Sequence, residues 1–458
     1  MTQHVHFIGI VGTGLSAIAR VLLESGYTVS GSDQHYSALA QAVEKAGARV
    51  YQGHRAGNIA TPDLVIRSSA VPDDNPEVLA AQQAGIPVLK RADFLGRLMQ
   101  DRLGIAIAGS HGKTTTTAMI AWVLSVLGQL PSFICGGDIT NLGVNARSGE
   151  GPAFVIEADE YDYMFLGLKP RIAVITNVEH DHPDIFPTPE SFRQAFLDFV
   201  RLLPSDGILI ACSDDPGAQE ILESVNGIQK MSYSLISLDA DYVAENICPN
   251  TLGGFDFDVR RAGEIQATIS LQVPGQHNVA NALAALAVID QMGLPLVKAA
   301  KGLGEFLGAG RRFQVVGEVG GITLIDDYAH HPTEIRATLA AARSRYPNRR
   351  IRVVWQPHTY TRSKLLFDEF AASFDDADQV LVTEIFRSRE ALEPNFSSAQ
   401  IVDAMQRDTA RYMPTLAAAT AYLREHLQTG DVLLVLSAGD ATQINAELLS
   451  SLQIVGEV

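Results

Sequence analysis

Residues 104–128 read GIAIAGSHGKTTTTAMIAWVLSVLG: a short apolar run, a glycine-bounded turn and a long apolar stretch of helical character. The turn is Gly109-Ser110-His111-Gly112-Lys113-Thr114-Thr115-Thr116. Glycines let successive backbone N–H groups close on an anion, and the start of the following helix adds its positive end. Lys113 supplies a point charge, and a threonine hydroxyl can ligate a hard cation such as Mg²⁺. A turn of this kind between strand and helix is a site for a nucleoside triphosphate. Its spacing is shortened: the common phosphate loop has four residues between its glycines, whereas only Ser110 and His111 intervene here.

The next strand downstream, AFVIEADEYD, ends its apolar run at Glu157, with Asp159, Glu160 and Asp162 behind it. A carboxylate emerging beside a phosphate loop suits a Mg²⁺–ATP site, because the cation prefers oxygen ligands and bridges the phosphates. Glu157 is the leading candidate ligand, and Glu160 reads as part of a solvated acidic turn. A third strand, RIAVITN, runs into Val178-Glu179-His180-Asp181-His182. Spacing alone leaves a metal-binding and a loop-shaping histidine equally open there.

Short β-branched runs recur along the chain, at 5–10, 64–66, 105–108, 153–156, 172–176, 351–355 and 432–436, with amphipathic stretches long enough for crossover helices between many of them. That alternation predicts α/β architecture with parallel sheets and ligand groups at the carboxyl ends of strands. Three domains are expected: a Rossmann-like unit over 1–100, a central phosphate-loop ATPase-like unit with a mixed or parallel sheet over 101–314, and a Rossmann-like unit over 315–458. Polar alternation between 230 and 275 predicts antiparallel strands added to the middle unit.

With 458 residues, 47% of them hydrophobic, there is apolar material for two or three cores. A formal charge of −17, from 35 basic and 52 acidic side chains, excludes nucleic acid and an anionic membrane surface as partners. An anionic ligand must therefore be held by a local basic site. Three cysteines without paired short spacing suggest neither a disulfide framework nor a zinc knuckle and fit a reducing cytoplasm. The opening MTQHVHFIGI has no basic region or long apolar stretch before its strand, so neither signal peptide nor membrane span is expected.

Near the amino terminus, Gly9-Ile10-Val11-Gly12-Thr13-Gly14 follows a strand and opens a helix, and Ser32-Asp33 ends the next strand. The order G-x-x-G-x-G departs from the dinucleotide pattern G-x-G-x-x-G, yet glycines at a helix start still suit a diphosphate.

Together these segments resemble the Mur ligase family, whose shortened loop reads GxHGKTT and whose next two strands carry an EADE-like stretch and a DH pair. Four further segments extend the resemblance over nearly the whole chain. GQHNVANALAA, with Gly275, His277, Asn278 and Asn281, is similar to the family's adenine-contacting helix start, and GRRF, with Arg311 and Arg312, to its phosphate-binding arginine segment. IDDYAHHPTE, with Asp326, Asp327, Tyr328, His330 and His331, resembles the opening of the third domain. QPHTYTR, with His358 and Arg362, resembles the amino-acid site of the branch that adds L-alanine to UDP-N-acetylmuramate.

The resemblance implies a ligase of cell-wall precursor synthesis. ATP would be bound by Gly109, Ser110, His111, Gly112, Lys113, Thr114, Thr115, His277, Asn281, Arg312 and Asp326. The UDP-sugar would lie on Gly9, Gly12, Thr13, Gly14, Ser32 and Asp33, and L-alanine on Tyr328, His330, His358 and Arg362. Two Mg²⁺ ions would be held by Thr114, Glu157 and His182. Lys113, Arg312 and Mg²⁺ would stabilise phosphoryl transfer to the carboxylate, giving an acyl phosphate that the amine of alanine attacks. Glu157, His330 and His358 are all candidates to orient or deprotonate that amine, while His180 and His331 are expected to shape their loops. A monomer or a homodimer is equally compatible.

The sequence departs from the family at Val11, where a glycine is usual, and at Thr359, where many members carry arginine. No lysine lies between Lys169 and Lys230, the stretch in which other branches place a carbamylated lysine; its absence agrees with the alanine-adding branch. Rival readings are a tripeptide ligase of the same family, a phosphate-loop switch ATPase and an NAD-dependent oxidoreductase. The last leaves Lys113 unexplained.

Overall fold

The computed structural model describes residues 3–456. It contains three sheets, of five, ten and six strands, in the order of the chain. The first is wholly parallel, with the strands Arg49–Gln52, Thr28–Asp33, His4–Ile8, Leu64–Arg67 and Val88–Lys90 side by side. Strand order reverses beside His4–Ile8, so the crevice at a doubly wound switch point opens at Gly9.

At the centre of the second sheet, Ile172–Ile175, Leu103–Ala108 and Ala153–Glu157 are parallel neighbours. Their carboxyl ends therefore deliver the 177–182 stretch, the glycine turn and Glu157 to one edge. The antiparallel addition expected between 230 and 275 is present: Phe255–Arg261 pairs antiparallel with both Tyr242–Pro249 and Glu264–Ser270. In the third sheet Ile322–Asp327, Val432–Ser437 and Ile351–Gln356 are parallel neighbours, and Asp327 and Gln356 end at the same edge. That edge faces the phosphate loop.

Local chemistry accounts for the elements around the site. The helix Lys113–Val126 is buried on nearly every side, consistent with its lack of a polar face. Thr188 and Ser191 form a capping box that starts Pro189–Val200, whose Phe192, Phe196 and Phe199 fall on one face and are buried. One apolar core runs from Phe7, Leu15 and Ile66 through Phe94, Leu95 and Met99 into Ile107, Leu124, Val155 and Leu286, joining the first two domains. The third domain keeps its own cores on the two faces of its sheet: alternate residues of Val432–Ser437 join Trp355 and Ile325 on one side, and Leu324 and Val354 on the other. Among the described residues no helix is long and apolar enough to cross a membrane.

Candidate active site

The glycine turn depends on both its glycines. Gly112 caps the helix at φ +82°, and a Cβ there would lie 2.7 Å from Asn281 Oδ1. Gly109 sits at φ +141°, where a Cβ would overlap the Thr176 hydroxyl. Ser110 Oγ donates to Glu179 O (2.6 Å), Thr176 Oγ1 donates to His111 O (2.6 Å), and His111 N–H donates to Asn177 Oδ1 (2.8 Å). The side chain of Ser110 thus fastens the loop to the neighbouring strand end. Asn281 braces it from the other side, accepting from Thr116 Oγ1 at 3.2 Å.

Lys113 Nζ donates to Gly109 O and pairs with Glu160 at 2.9 Å. Burial alone would lower the lysine's pKa, but Glu160, Asp159 and Glu157 outweigh it and hold the ammonium form. The expectation that Glu160 belongs to a solvated turn is wrong, since its residue is only 1% exposed. The apolar run of the strand ends at Glu157, but the chain then folds inward through Tyr161–Gly167, with Asp162 and Tyr163 at positive φ. Burial opposes ionisation of Glu160, yet Lys113 and His182 together pull its pKa below the usual value.

Thr114 and Glu157 come together as expected, with Thr114 Oγ1 3.0 Å from both carboxylate oxygens. Gly136 N–H donates to Glu157 Oε2 at 2.7 Å, and Arg312 reaches Thr114 Oγ1 at 3.3 Å. Burial raises the pKa of Glu157, with Lys113 and Arg312 opposing; a further cation would therefore be favoured beside it. A Cβ at Gly136 would stand 2.6 Å from Glu157 Oε2 and 3.0 Å from Thr114 Oγ1, so glycine keeps this cradle open. Hard oxygen donors around a space that a methyl group would fill are a fitting site for Mg²⁺. His182 lies apart from this pair. It sits at φ +54° and contacts Glu160 (3.5 Å) and Asp181 (3.7 Å).

Arg312, just ahead of the third domain, and Tyr328 within it close this end of the site, with the guanidinium groups of Arg311 and Arg312 4.8 and 4.7 Å from the centre of the Tyr328 ring. Asp326 does not line the cavity beside the phosphate loop; Asp327 does. Consecutive residues of a strand point to opposite faces, and Asp326 turns to Arg311 at 3.5 Å. Burial lifts the Asp326 pKa to about 6, against the pull of Arg311. That cavity, of about 340 Å³, is lined by His111, Thr115, His277, Asn281, Arg312 and Glu334 among others.

Arg362 is buried, and two of its five N–H groups donate hydrogen bonds, Nε to Asp181 Oδ1 at 2.9 Å and one Nη to His358 Nδ1 at 3.1 Å, while the other Nη pairs with Asp181 Oδ1 at 2.8 Å. The alternative of a surface salt bridge is thereby excluded, and the fork is not wholly free for a ligand. A guanidinium only donates, so His358 Nδ1 accepts and its proton sits on Nε2. Burial, reinforced by His330 and Arg362, depresses the His358 pKa to about 3. His358 is therefore a neutral donor and not the proton acceptor it was a candidate to be. His330 is oriented the opposite way: its Nδ1 meets Tyr328 O at 3.0 Å and Glu334 at 3.1 Å, so Nδ1 carries the proton and Nε2 the lone pair. His331 caps the helix Pro332–Arg345, a loop-shaping role as expected, and its ring lies tilted against that of His111, with centres 4.9 Å apart.

In the first domain Thr13 and Gly14 line a large cavity of about 750 Å³ that continues to Thr114, Glu157, Arg312 and Tyr328. Gly12 N–H donates to Gly9 O at 3.1 Å, closing the turn. Asp33 accepts from Val11 N–H at 3.1 Å, so one of its oxygens already serves the turn at the atypical Val11. The side chain of Ser32 does not face the cavity. It is fully buried, donates to Glu77 at 2.6 Å and contacts His54 at 2.8 Å; only its backbone carbonyl supports the glycine turn. Arg91, which sequence reasoning missed, lines the cavity so close to Gly14 that a Cβ there would overlap its guanidinium. The detectable signal was its position, a basic residue opening a helix directly after the short strand Val88–Lys90. Glu179 and Glu334 were also missed: each lies in a segment singled out for its histidines, and nothing local to either marks it as a partner of the distant His111.

Comparison with known proteins agrees with this layout. The model for the Mur ligase family, catalytic domain, matches residues 4–103, that for the Mur ligase middle domain matches 107–289, and that for the Mur ligase, glutamate ligase domain, matches 311–439. UDP-N-acetylmuramate–L-alanine ligases of Desulforamulus reducens and of a Roseiflexus species are 43% and 42% identical over 98% of this chain, covering 98% and 99% of their own lengths. Among solved structures, a UDP-N-acetylmuramate–alanine ligase of Thermotoga maritima superposes with a TM-score of 0.84 at 29% identity over 99% of both chains. A murein peptide ligase of Psychrobacter arcticus gives 0.73 at 28% identity over 98% of both.

Proposed function

The chain belongs to the Mur ligase family, and from that premise we propose that it joins L-alanine to the carboxylate of UDP-N-acetylmuramate, driven by ATP, in peptidoglycan precursor synthesis. The observation that carries the reading is convergence: the large cavity starts at the glycine turn of the first domain and ends at Thr114, Glu157, Arg312 and Tyr328. An extended substrate anchored by its diphosphate at Gly12–Gly14 and Arg91 would bring its acid to the phosphate loop.

A carboxylate is a poor acceptor of an amine because its charge repels the nucleophile and oxide cannot leave. Transfer of the γ-phosphoryl group of ATP to that carboxylate removes both obstacles. Lys113 and Arg312 flank the place where charge develops and stabilise it by position alone. Thr114 and Glu157 would hold a Mg²⁺ ion, with His182 beside Glu160 helping with a second. Mg²⁺ at such a site neutralises phosphate charge when bound. The nucleoside would occupy the smaller cavity between His277, Asn281 and Asp327. Alanine would present its carboxylate to the remaining donors of Arg362, with the Nε2 proton of His358 close by, and its amine would attack the acyl phosphate. Burial between domains keeps water from that labile intermediate. We place this chemistry in the cytoplasm, in keeping with three cysteines that are all unpaired.

Substrate bearing ¹⁸O in its muramyl carboxylate tests the reading. One labelled oxygen should appear in the orthophosphate released when ATP, UDP-N-acetylmuramate and L-alanine are all present, and unlabelled orthophosphate would sink it.

A further inference from the structure

Glu334 has no role in the scheme so far, yet its two carboxylate oxygens reach residues of both halves of the reaction. Its Oε2 lies 3.1 Å from His330 Nδ1 and accepts the backbone N–H of His330 at 3.0 Å. Its Oε1 lies 3.2 Å from Nδ1 of His111, in the phosphate loop of another domain. The second nitrogen of His111 contacts Glu179 at 3.0 Å, and Glu179 accepts in turn from Thr333 Oγ1 at 2.8 Å. The two domains are therefore held together behind His330 by close ion-pair contacts of Glu334 and by the hydrogen bonds that His111 and Thr333 make to Glu179.

We propose that Glu334 is a positioning residue that fixes His330 as the base receiving a proton from the amine of the incoming amino acid, and that couples this base to the phosphate loop through His111. The proposal rests on the ligase reading above. Orientation decides it: a carbonyl oxygen at Tyr328 and a carboxylate at Glu334 both require a proton on His330 Nδ1, which leaves the Nε2 lone pair as the only basic position. His358, 6.0 Å away ring to ring, is locked the opposite way by Arg362. The titratable groups facing the His330–Glu334 pair are His111, His277, His331, His358, Asp181 and Asp327.

The proton balance closes. The ammonium of alanine gives one proton to His330 Nε2, and the nitrogen lone pair so freed forms the N–C bond at the acyl carbon. The C–O bond to phosphate breaks with its electron pair, and the second proton shed by nitrogen leaves on the phosphate. No co-reactant is needed.

Hydroxylamine, an amine largely unprotonated at neutral pH, separates the two steps, because it traps an acyl phosphate as a hydroxamate without needing a base. Glu334→Gln protein is given ATP, UDP-N-acetylmuramate and either L-alanine or hydroxylamine, beside the unaltered protein. The ratio of hydroxamate to alanine product should rise on the order of 10²-fold in the variant. Equal loss with both nucleophiles would overturn the proposal, because a merely structural helix cap would not discriminate between them. Absence of hydroxamate from the unaltered protein would instead refute the ligase reading itself. Should Glu334→Gln not fold, His330→Ala serves: added imidazole should restore alanine ligation, and failure to do so while hydroxamate forms would overturn the assignment of His330.

Discussion

Lys113 and Glu160 show how one side chain can be tied to stability and turnover at once. The ammonium sits where it would meet phosphate oxygens, and a buried carboxylate already holds it there. Lys113→Ala should cut ADP release by on the order of 10²-fold or more. It should also destabilise the protein by roughly 3–5 kcal/mol, because Glu160 is left buried without its cation. Adding Glu160→Gln to Lys113→Ala should recover much of the lost Tm with no recovery of turnover; a double variant as unstable as the single one would contradict the pairing. His111 offers a second residue-level test. Burial would lower its pKa, but Glu334 and Glu179 outweigh that and raise it to about 9. A pKa raised on folding contributes stability that is complete below the unfolded value of about 6.5 and disappears as pH climbs through the folded one. Thermal stability should therefore fall between about pH 6.5 and 9, and His111→Gln should flatten that part of the profile. An unchanged slope in the variant would remove the imidazolium from the account.

At the scale of elements, the site is a set of strand ends. Leu103–Ala108, Ala153–Glu157 and Ile172–Ile175 are parallel neighbours, so three segments far apart in the chain present a phosphate loop, a carboxylate and a histidine loop on one edge. Backbone strain gathers here: of thirteen non-glycine residues with positive φ among the described residues, six lie at this junction, namely Asp162, Tyr163, His182, Arg311, Phe313 and Thr359. Such conformations persist where surrounding contacts overdetermine them, which is common at functional sites. The strand Ser132–Ile139 contributes an absence of side chain at Gly136. Gly136→Ala should fill the space between Thr114 and Glu157, lowering Mg²⁺-dependent turnover while shifting Tm by only a few degrees. Titration of activity with Mg²⁺ checks this, and an unchanged Mg²⁺ requirement would rule out the cradle.

For the whole molecule, the distribution of cores decides what can move. The first two domains share one apolar core, whereas the third packs around its own sheet and meets the others through polar contacts: Arg362 with Asp181, Thr333 with Glu179 and Glu334 with His111. Polar interfaces between separately cored units open at lower cost than a shared core divides. The third domain should accordingly move as a rigid body while the first two stay together. Solution scattering should differ between free protein and protein holding ATP analogue and UDP-N-acetylmuramate, and Asp181→Asn should shift the free form toward the more extended profile. Identical profiles in all three states would argue against this hinge.

What could be read from the chain alone was whatever a few neighbouring residues settle. Glycine spacing set the phosphate turn, hydrophobic period set the strands and helices, and the end of an apolar run marked Glu157 beside Thr114. Alternation along a strand even implied that Asp326 and Asp327 face opposite ways, but not which of them meets the cavity beside the phosphate loop, since that depends on which face of the sheet is covered. Only the folded chain decided the pairings that span it: Lys113 with Glu160 across 47 residues, Thr333 with Glu179 across 154, and Arg362 with Asp181 across 181. The same holds for Ser32, whose side chain went inward to Glu77, and for Glu334, which binds histidines of two domains. Local sequence fixes backbone conformation, whereas the partner of a buried charge is chosen by how distant segments pack. That choice is enforced by the cost of leaving the charge alone.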